Sequence, residues 1–262
     1  MSGQTNFVDH LADGFMATES KHQPVERVVD HYPELTGEDA YVVQRAVVER
    51  LRQAGGHQVG YKIAATGKAV QEALGLAEPA YGRLFQSHQV TDGGQMPMAQ
   101  LIKPVVECEI AFLLKHDLTG PHVSTEDVLA ATESVVAAFE IVDMRTRGRP
   151  VSMLELIAYN ALACGFVLGT QPIAPRGLDL PRIPVVCQQN GTPVASGTGA
   201  ASMDHPATAV AWLANKLAGH DSRLRGGDII LSGTLNVPIP AHAGDHFEAV
   251  FQGLGSVSVS FN

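Results

Sequence analysis

Cysteine is scarce in this sequence. Only Cys108, Cys164 and Cys187 occur, widely spaced and in no zinc-ligand pattern. An odd number of thiols within apolar text argues against a disulfide framework and implies reduced, buried cysteines in a cytoplasmic protein. Positive charge is also in deficit. Eighteen Lys and Arg against 27 Asp and Glu leave a formal net charge of -9, which argues against nucleic acid or an anionic membrane as partner. No apolar run reaches the roughly 18 residues of a spanning helix. The first twenty residues lack the basic start and apolar stretch of a secretory signal. Repeats, low-complexity tracts and blocks of like charge are missing. The stretch Gly197–Ala201 resembles a phosphate cradle but has neither the P-loop lysine nor the full dinucleotide fingerprint, so it reads as a turn.

What is present is a chain of 262 residues with 45% hydrophobic content, enough for a sizeable core. Its most informative feature is Glu107-Cys108-Glu109, set between Pro104-Val105-Val106 and Ile110-Ala111-Phe112-Leu113-Leu114. On a strand, residues i and i+2 share a face, about 6.8 Å apart. Two carboxylates therefore project together from a segment that otherwise reads as buried. Unpaired buried carboxylates are very costly, so a positive charge belongs between them. A divalent cation with oxygen ligands meets that need, and Mg²⁺ or Mn²⁺ suits an all-carboxylate set. The alternative is an edge strand with one solvated face that carries glutamate there by chance. Glu140, flanked by Phe139 and Ile141 in a second apolar run, is the third candidate ligand. Asp143 competes for that place, but it lies nearer the end of the run, where solvation or pairing with Arg145 suits it better.

Helical periodicity covers Gly37 to Gln53, with Thr36 or Gly37 as cap and Gly55-Gly56 as stop. His57 to Ala65 reads as a strand, with Val59, Tyr61 and Ile63 on one face and Lys62 on the other. Lys68–Leu74 and Ser124–Ser134 read as helices. Leu154–Cys164 reads as a helix or a buried connector. Residues 165–169, 184–188 and 192–197 read as short strands. His205–Ala218 reads as a helix with Trp212 on its core face. The end is all strand: Asp228–Ser232, His246–Phe251 and Ser256–Phe261. His220, His242 and His246 read as surface residues. Residues 1–22 are polar and read as a loose arm or short helix. Many strands without regular strand–helix alternation predict a mixed α/β (α+β) fold with a large, mainly antiparallel sheet or barrel. Residues 1–60 form an N-terminal helical cap in this reading, and 61–262 form a β-rich body.

Several stretches resemble the fumarylacetoacetate-hydrolase superfamily, in its branch of 2-oxopent-4-enoate (2-hydroxypentadienoate) hydratases and 4-oxalocrotonate decarboxylases. They are Asp39–Gln44, Gly60–Ile63, Lys103–Phe112, Phe139–Asp143, Ala211–Asn215, Gly227–Gly233 and Gly253–Val259. The resemblance covers roughly residues 25–262 and is specific as a combination. It implies a rolled, mainly antiparallel β-barrel-like body, assembly as a homo-oligomer, and a divalent metal held by Glu107, Glu109 and Glu140. It further implies a small 2-oxo or 2-hydroxy-dienoate acid as substrate, cytoplasmic catabolism of aromatic compounds, and a complex with a companion pathway enzyme. The metal would act as a Lewis acid on the enolate form, a platform that serves hydration and decarboxylation alike. Lys62 takes an acid/base or electrostatic role; read from the strand alone, a surface lysine is the preferred reading. Ser232, with Gly233 and Thr234, is placed at the substrate carboxylate, with turn chemistry at a strand end as its other reading; Asn160 and Tyr81 are placed near the substrate, and Asn160 read without the resemblance is a structural residue.

The chain also departs from that branch. Ala80 stands where hydratases typically carry an acid, and Ala80-Tyr81-Gly82 leans towards the decarboxylases. Tyr159 and Leu162 stand where the branch usually has Asp and Ser. Glu78 and Glu155 are the acids near enough in sequence to compensate. A diacid substrate would need a cation for its distal carboxylate, with Arg83, Arg145 and Arg147 as candidates. Three readings follow: a hydratase of 2-hydroxypenta-2,4-dienoate, a decarboxylase of 2-oxohex-3-enedioate type, and a reassigned or non-catalytic member that supports a partner enzyme.

Overall fold

The computed structural model describes residues 4–147 and 151–262; the first three residues of the expected N-terminal arm lie outside the described residues. Three helices come first: α1 (Gln4–Lys21), α2 (Val28–His31) and α3 (Gly37–Gln53). Then follow strand β1 (Gln58–Ala64), helix α4 (Lys68–Leu74) and strands β2 (Ala80–Phe85), β3 (Gln89–Val90), β4 (Gly94–Met96) and β5 (Pro104–Leu114). Helix α5 (Thr125–Ala131) leads directly into strand β6 (Thr132–Asp143). Helix α6 (Met153–Ala158) precedes strands β7 (Ala163–Leu168), β8 (Pro184–Gln189) and β9 (Thr192–Thr198). Helix α7 (Pro206–Ala218) and strands β10 (Ile229–Leu231), β11 (Ile239–Pro240), β12 (His246–Phe251) and β13 (Gly255–Phe261) complete the chain.

Local chemistry accounts for the element starts. Thr36 caps α3 in a capping box with Asp39, and Ser124 caps α5 in the same way with Asp127. Helix α5 stops three residues before the expected Ser134. From Thr132 onward the chain pairs with β5, and the β-branched run Val135-Val136 belongs to that ladder. The N-terminal segment is a full helix rather than a loose arm. Leu11, Ala12 and Phe15 recur at helical spacing and are buried, with α1 packed on α3 and α3 on α6. Trp212 is only half-buried, and its indole N–H donates to Glu78 at 3.1 Å.

The body is mixed α/β (α+β), as expected, and its strands form two sheets. One is a curled half-barrel of eight strands, ordered β2-β1-β10-β5-β6-β7-β3, with β11 pairing to β5. The other has five strands, β4-β13-β12-β8-β9. Pairing is mainly antiparallel, with parallel contacts at β1/β10, β3/β7 and β4/β13. The second sheet packs across β6. Behind β5 the Cys108 thiol meets that of Cys187 on β8; both are free and buried, while Cys164 is half-buried. Among the described residues no helix is long and apolar enough to cross a membrane.

Alternation sorts the half-barrel into two faces. Tyr61, Ile63, Tyr81, Cys108, Ile110, Phe139 and Ile141 belong to the main core. The opposite face carries a smaller apolar group: Leu84, Ala111, Val136, Ala138, Phe166 and Leu231. Lys62 is registered with Leu231, Leu231 with Ala111, and Ala111 with Val136, so Lys62 lies on this second face. Val59 joins that face too, not Tyr61 and Ile63 as expected, because a bulge between Gln58 and Gly60 shifts the alternation by one residue.

Candidate active site

Glu107 and Glu109 lie two apart on β5, level with Ala111 on the smaller face. Glu140 stands directly across from Glu107 on β6. The three carboxylates converge, each offering an oxygen within 4.8 Å of the others. An ion with bonds of about 2.1 Å spans ligand oxygens up to about 4.2 Å apart, so small side-chain adjustments make the trio a ligating set. Glu109 and Glu140 are fully buried. Among the described residues Glu109 Oε1 and Glu140 Oε2 have no hydrogen-bond partner, an expensive condition that a cation relieves. The residues present therefore fit a divalent metal.

The electrostatics agree. Burial pushes the Glu107 carboxyl up to about 7, with the facing Glu140 adding to the shift and Lys62 opposing it. Burial and the two neighbouring carboxylates hold Glu109 well above the usual range. Burial also raises Glu140, against the pull of Lys62. For Lys62, burial alone would lower the pKa, but Glu140, Glu107 and Glu109 outweigh it and hold the ammonium above the ordinary lysine value. Lys62 is 2% exposed, which overturns the surface-lysine alternative. Its Nζ sits 3.0 Å from Glu140 Oε1 and donates to the Ala161 carbonyl at 3.1 Å.

That carbonyl belongs to an unusual turn. Asn160, Ala161 and Leu162 all have left-handed φ, at 56°, 52° and 57°. Each such residue other than glycine costs roughly 1–2 kcal/mol. The turn is buried and follows α6 directly. Asn160 secures it: its Oδ1 accepts from Arg83 N at 2.7 Å and its Nδ2 donates to Arg83 O at 2.9 Å.

The strand-end motif meets the acids. Gly233 N donates to Glu109 Oε2 at 2.7 Å, so this backbone N–H orients a carboxylate. Ser232 Oγ is buried and has no hydrogen-bond partner among the described residues. The Thr234 hydroxyl is engaged within its own turn, donating to Asn236 O at 2.8 Å. Tyr81 is misplaced by the sequence reading. It is registered with Ile63, on the sheet face opposite Lys62, and stacks on Tyr41 with ring centres 4.9 Å apart. Asn160 spends its amide on the Arg83 backbone. Asp143 lies on the face opposite Glu140 and accepts from the backbone N–H of Ile102 and Lys103, with Arg145 3.8 Å away.

The departures resolve in the same terms. Ala80 is buried two residues before Gly82, the cross-strand partner of Lys62, so β2 brings no carboxylate to this face. Tyr159 points into the core and stacks on Phe15 at 5.9 Å, and Leu162 is core as well. Neither proposed substitute acid joins Lys62. Glu78 is exposed and pairs with Lys216 at 2.8 Å, while Glu155 is the buried cap partner of Ser152 on α6 and accepts from Val29 N at 3.1 Å. The arginines are committed too. Arg83 donates to Gln44 Oε1 at 2.8 Å, Arg145 pairs with Glu19, and Arg147 is exposed beside Glu26. Sequence reasoning missed Gln44 and the Ala161 carbonyl. Gln44 had a signal, as a polar residue on the apolar face of α3 formed by Ala40, Val43 and Val47. The carbonyl had none.

Comparison with known proteins agrees with this architecture. The family described as Fumarylacetoacetate (FAA) hydrolase C-terminal matches residues 41–261. The chain is 45% identical over 238 residues to a 2-hydroxyhexa-2,4-dienoate hydratase of Comamonas testosteroni, covering 89% of each. It is 40% identical over 258 residues to a 2-oxo-hept-4-ene-1,7-dioate hydratase of Escherichia coli, covering 96% of each. The solved structure of 4-oxalocrotonate decarboxylase from Pseudomonas putida G7, complexed with magnesium and adipate, matches with a TM-score of 0.95 and 33% identity, covering 98% of each chain. The chain belongs to the fumarylacetoacetate hydrolase family.

Proposed function

We propose that this protein is a metal-dependent lyase that hydrates 2-hydroxypenta-2,4-dienoate to 4-hydroxy-2-oxopentanoate. The observation that carries the reading is the set of buried Glu109, Glu140 and Lys62 with half-buried Glu107 on one sheet face, with carboxylate oxygens that no group among the described residues satisfies. In this reading the three glutamates hold Mg²⁺ or Mn²⁺, the hard ions suited to carboxylate ligands. The magnesium in the decarboxylase structure supports a divalent ion. When bound, such an ion supplies Lewis-acid polarisation of the oxygen beside the substrate carboxylate.

The chain's own groups supply the rest. Ser232 Oγ holds a substrate oxygen. Lys62, whose Nζ sits 3.0 Å from Glu140 Oε1, delivers a proton towards C5, and the dienol's hydroxyl proton passes to the freed amine as the substrate becomes the 2-oxo-3-enoate. Water then adds its oxygen at C4 and a proton at C3. Burial of the face excludes bulk water from competing protonation sites. Assembly as a homo-oligomer and association with a companion enzyme of the same degradative route belong to this proposal.

Two relatives named as hydratases, at 45% and 40% identity, support hydration. The decarboxylase reading keeps the apolar Ala80 and the likeness to a solved 4-oxalocrotonate decarboxylase, and loses another support, because Arg83 and Arg145 are buried in other pairings. The deciding experiment follows dienol absorbance with Mg²⁺ or Mn²⁺, beside CO₂ release from 2-oxohex-3-enedioate. Metal-dependent loss of the dienol with formation of 4-hydroxy-2-oxopentanoate, absent in Glu107→Ala, supports the hydratase. CO₂ from the diacid alone replaces it with the decarboxylase. Silence on both with metal bound overturns both.

A further inference from the structure

We infer that Asn160 is a positioning residue: its amide, together with the missing side chain of Gly82, holds the left-handed turn at 160–162 so that the Ala161 carbonyl fixes the Lys62 ammonium beside Glu140. The effect on turnover rests on the reading of Lys62 as proton carrier; the effect on Lys62 itself does not.

Three features of the molecule converge on this turn. First, the strain of three consecutive left-handed residues persists only where the surroundings over-determine it. The clamp is visible: β2 is the edge strand of its sheet, and the Asn160 amide closes on both backbone polar groups of Arg83. Asparagine suits the place, because it tolerates positive φ and offers a donor and an acceptor on one planar group. Second, Gly82 is the cross-strand partner of Lys62, and a Cβ there would collide with the Asn160 carbonyl. The bare glycine is what admits the turn beside Lys62. Third, Gln44 ties the same pieces together from α3. Its Nε2 donates to Tyr81 O at 2.7 Å on the edge strand and to Ile157 O at 2.9 Å at the end of α6. The turn is thus gripped on both sides, and its one carbonyl aimed at a charged group is that of Ala161. With two N–H directions of Lys62 taken by Glu140 and Ala161, one remains for substrate.

The test compares the parent with Gly82→Ala, Asn160→Gly and Asn160→Asp. Gly82→Ala leaves every polar partner in place and wedges the turn away. Asn160→Gly removes the clamp while keeping a residue at ease with positive φ. The first readout is reductive methylation of the metal-free protein, located by peptide mass spectrometry. Lys62 should label roughly tenfold faster in Gly82→Ala and Asn160→Gly than in the parent, a local opening. The exposed Lys68 and Lys115 should not change. Cys108 and Cys187 should stay closed to a thiol reagent, which separates a local release from general unfolding. The second readout is kinetic. On the dienol, kcat should fall roughly 100-fold with KM and Mn²⁺ affinity held, the loss expected of a displacement of about 1 Å.

Unchanged Lys62 labelling in the folded variants overturns the inference. A rise in KM with kcat intact also overturns it and makes Asn160 a substrate contact. If the parent does not turn over the dienol, the functional reading fails, and the labelling alone decides the positioning role. Should Asn160→Gly not fold, Gly82→Ala and the milder Asn160→Asp decide it.

Discussion

Glu107 and Glu140 are direct cross-strand partners in the interior of the half-barrel, so two carboxylates face each other across a β-ladder. Like charges in that position destabilise a sheet, and burial multiplies the cost. Lys62, the one ammonium beside them among the described residues, offsets only one of three negative charges. Such an arrangement is stable at neutral pH in two ways: by retaining protons, or by binding a cation that replaces them.

Metal should therefore stabilise the fold through these residues. At a Mn²⁺ concentration about 100-fold above Kd, the stabilisation is about 2.7 kcal/mol. At roughly 2–4 °C per kcal/mol for a chain of this size, thermal melts resolve it easily. Glu107→Gln removes the facing charge without changing shape. Its metal-free form should melt higher than the metal-free parent at pH 8, and its metal-induced shift should vanish. A metal shift in Glu107→Gln equal to that of the parent would sink the assignment.

The raised carboxyls set a pH signature with a definite sign. Glu107 titrates at about 7 in the fold, against the ordinary carboxylate value when unfolded. Between those values the folded protein holds more protons than the unfolded chain, so its stability falls as pH rises. Metal-free melting temperature should decline from about pH 4.5 to 7. Metal competes with the same protons, so metal affinity and the metal-induced shift should grow over that window. Melts with chelator and with Mg²⁺ that run parallel across pH would contradict this coupling.

The acids were legible because carboxylates embedded in apolar strand text contradict their surroundings, and a period of two decides which of them share a face. Helix caps were legible for a similar reason, since Thr36 with Asp39 and Ser124 with Asp127 are local chemistry. Tyr81 shows the limit. It stands one residue from Gly82, the partner of Lys62, and in a strand one residue is the other face. Val59 shows the same limit through a bulge that no local pattern marks. Asn160 is legible as a residue of interest, but its grip on the Arg83 backbone is not, because a left-handed run of non-glycine residues has no propensity signal and is held by tertiary contacts. Strands β3, β4 and β11, of two or three residues each, exist only through their partners.

Lys62→Met keeps the length and apolar stem of the side chain while removing its charge. If Lys62 moves the proton, kcat should fall by roughly 10²–10⁴. The metal-induced melting shift should persist, since the ligating oxygens stay. A variant that loses metal binding but turns over normally per bound metal would assign Lys62 to the metal site alone.

Gly233→Ala tests the support of a ligand. Gly233 has φ 105°, an L side chain there would collide with Thr66, and its N–H holds Glu109 Oε2. Loss of an orienting partner typically weakens metal affinity 10–100-fold. Calorimetric titration with Mn²⁺ should show a loss of that size, with saturation still reached at high metal. An unchanged affinity would mean that Glu109 needs no such orientation.

Asp143 separates burial from ligation. It is about as buried as Glu109 and Glu140 and lies three residues from Glu140, but its carboxylate closes the entry to β5 by accepting from Ile102 N and Lys103 N. Asp143→Ala leaves those two N–H groups without a partner, which costs roughly 1–3 kcal/mol each where water cannot replace it. The melting temperature should drop in the presence and absence of metal alike, and the metal-induced shift should keep its size. A shift that disappears in Asp143→Ala would place this carboxylate among the ligands, against the face the strand register gives it.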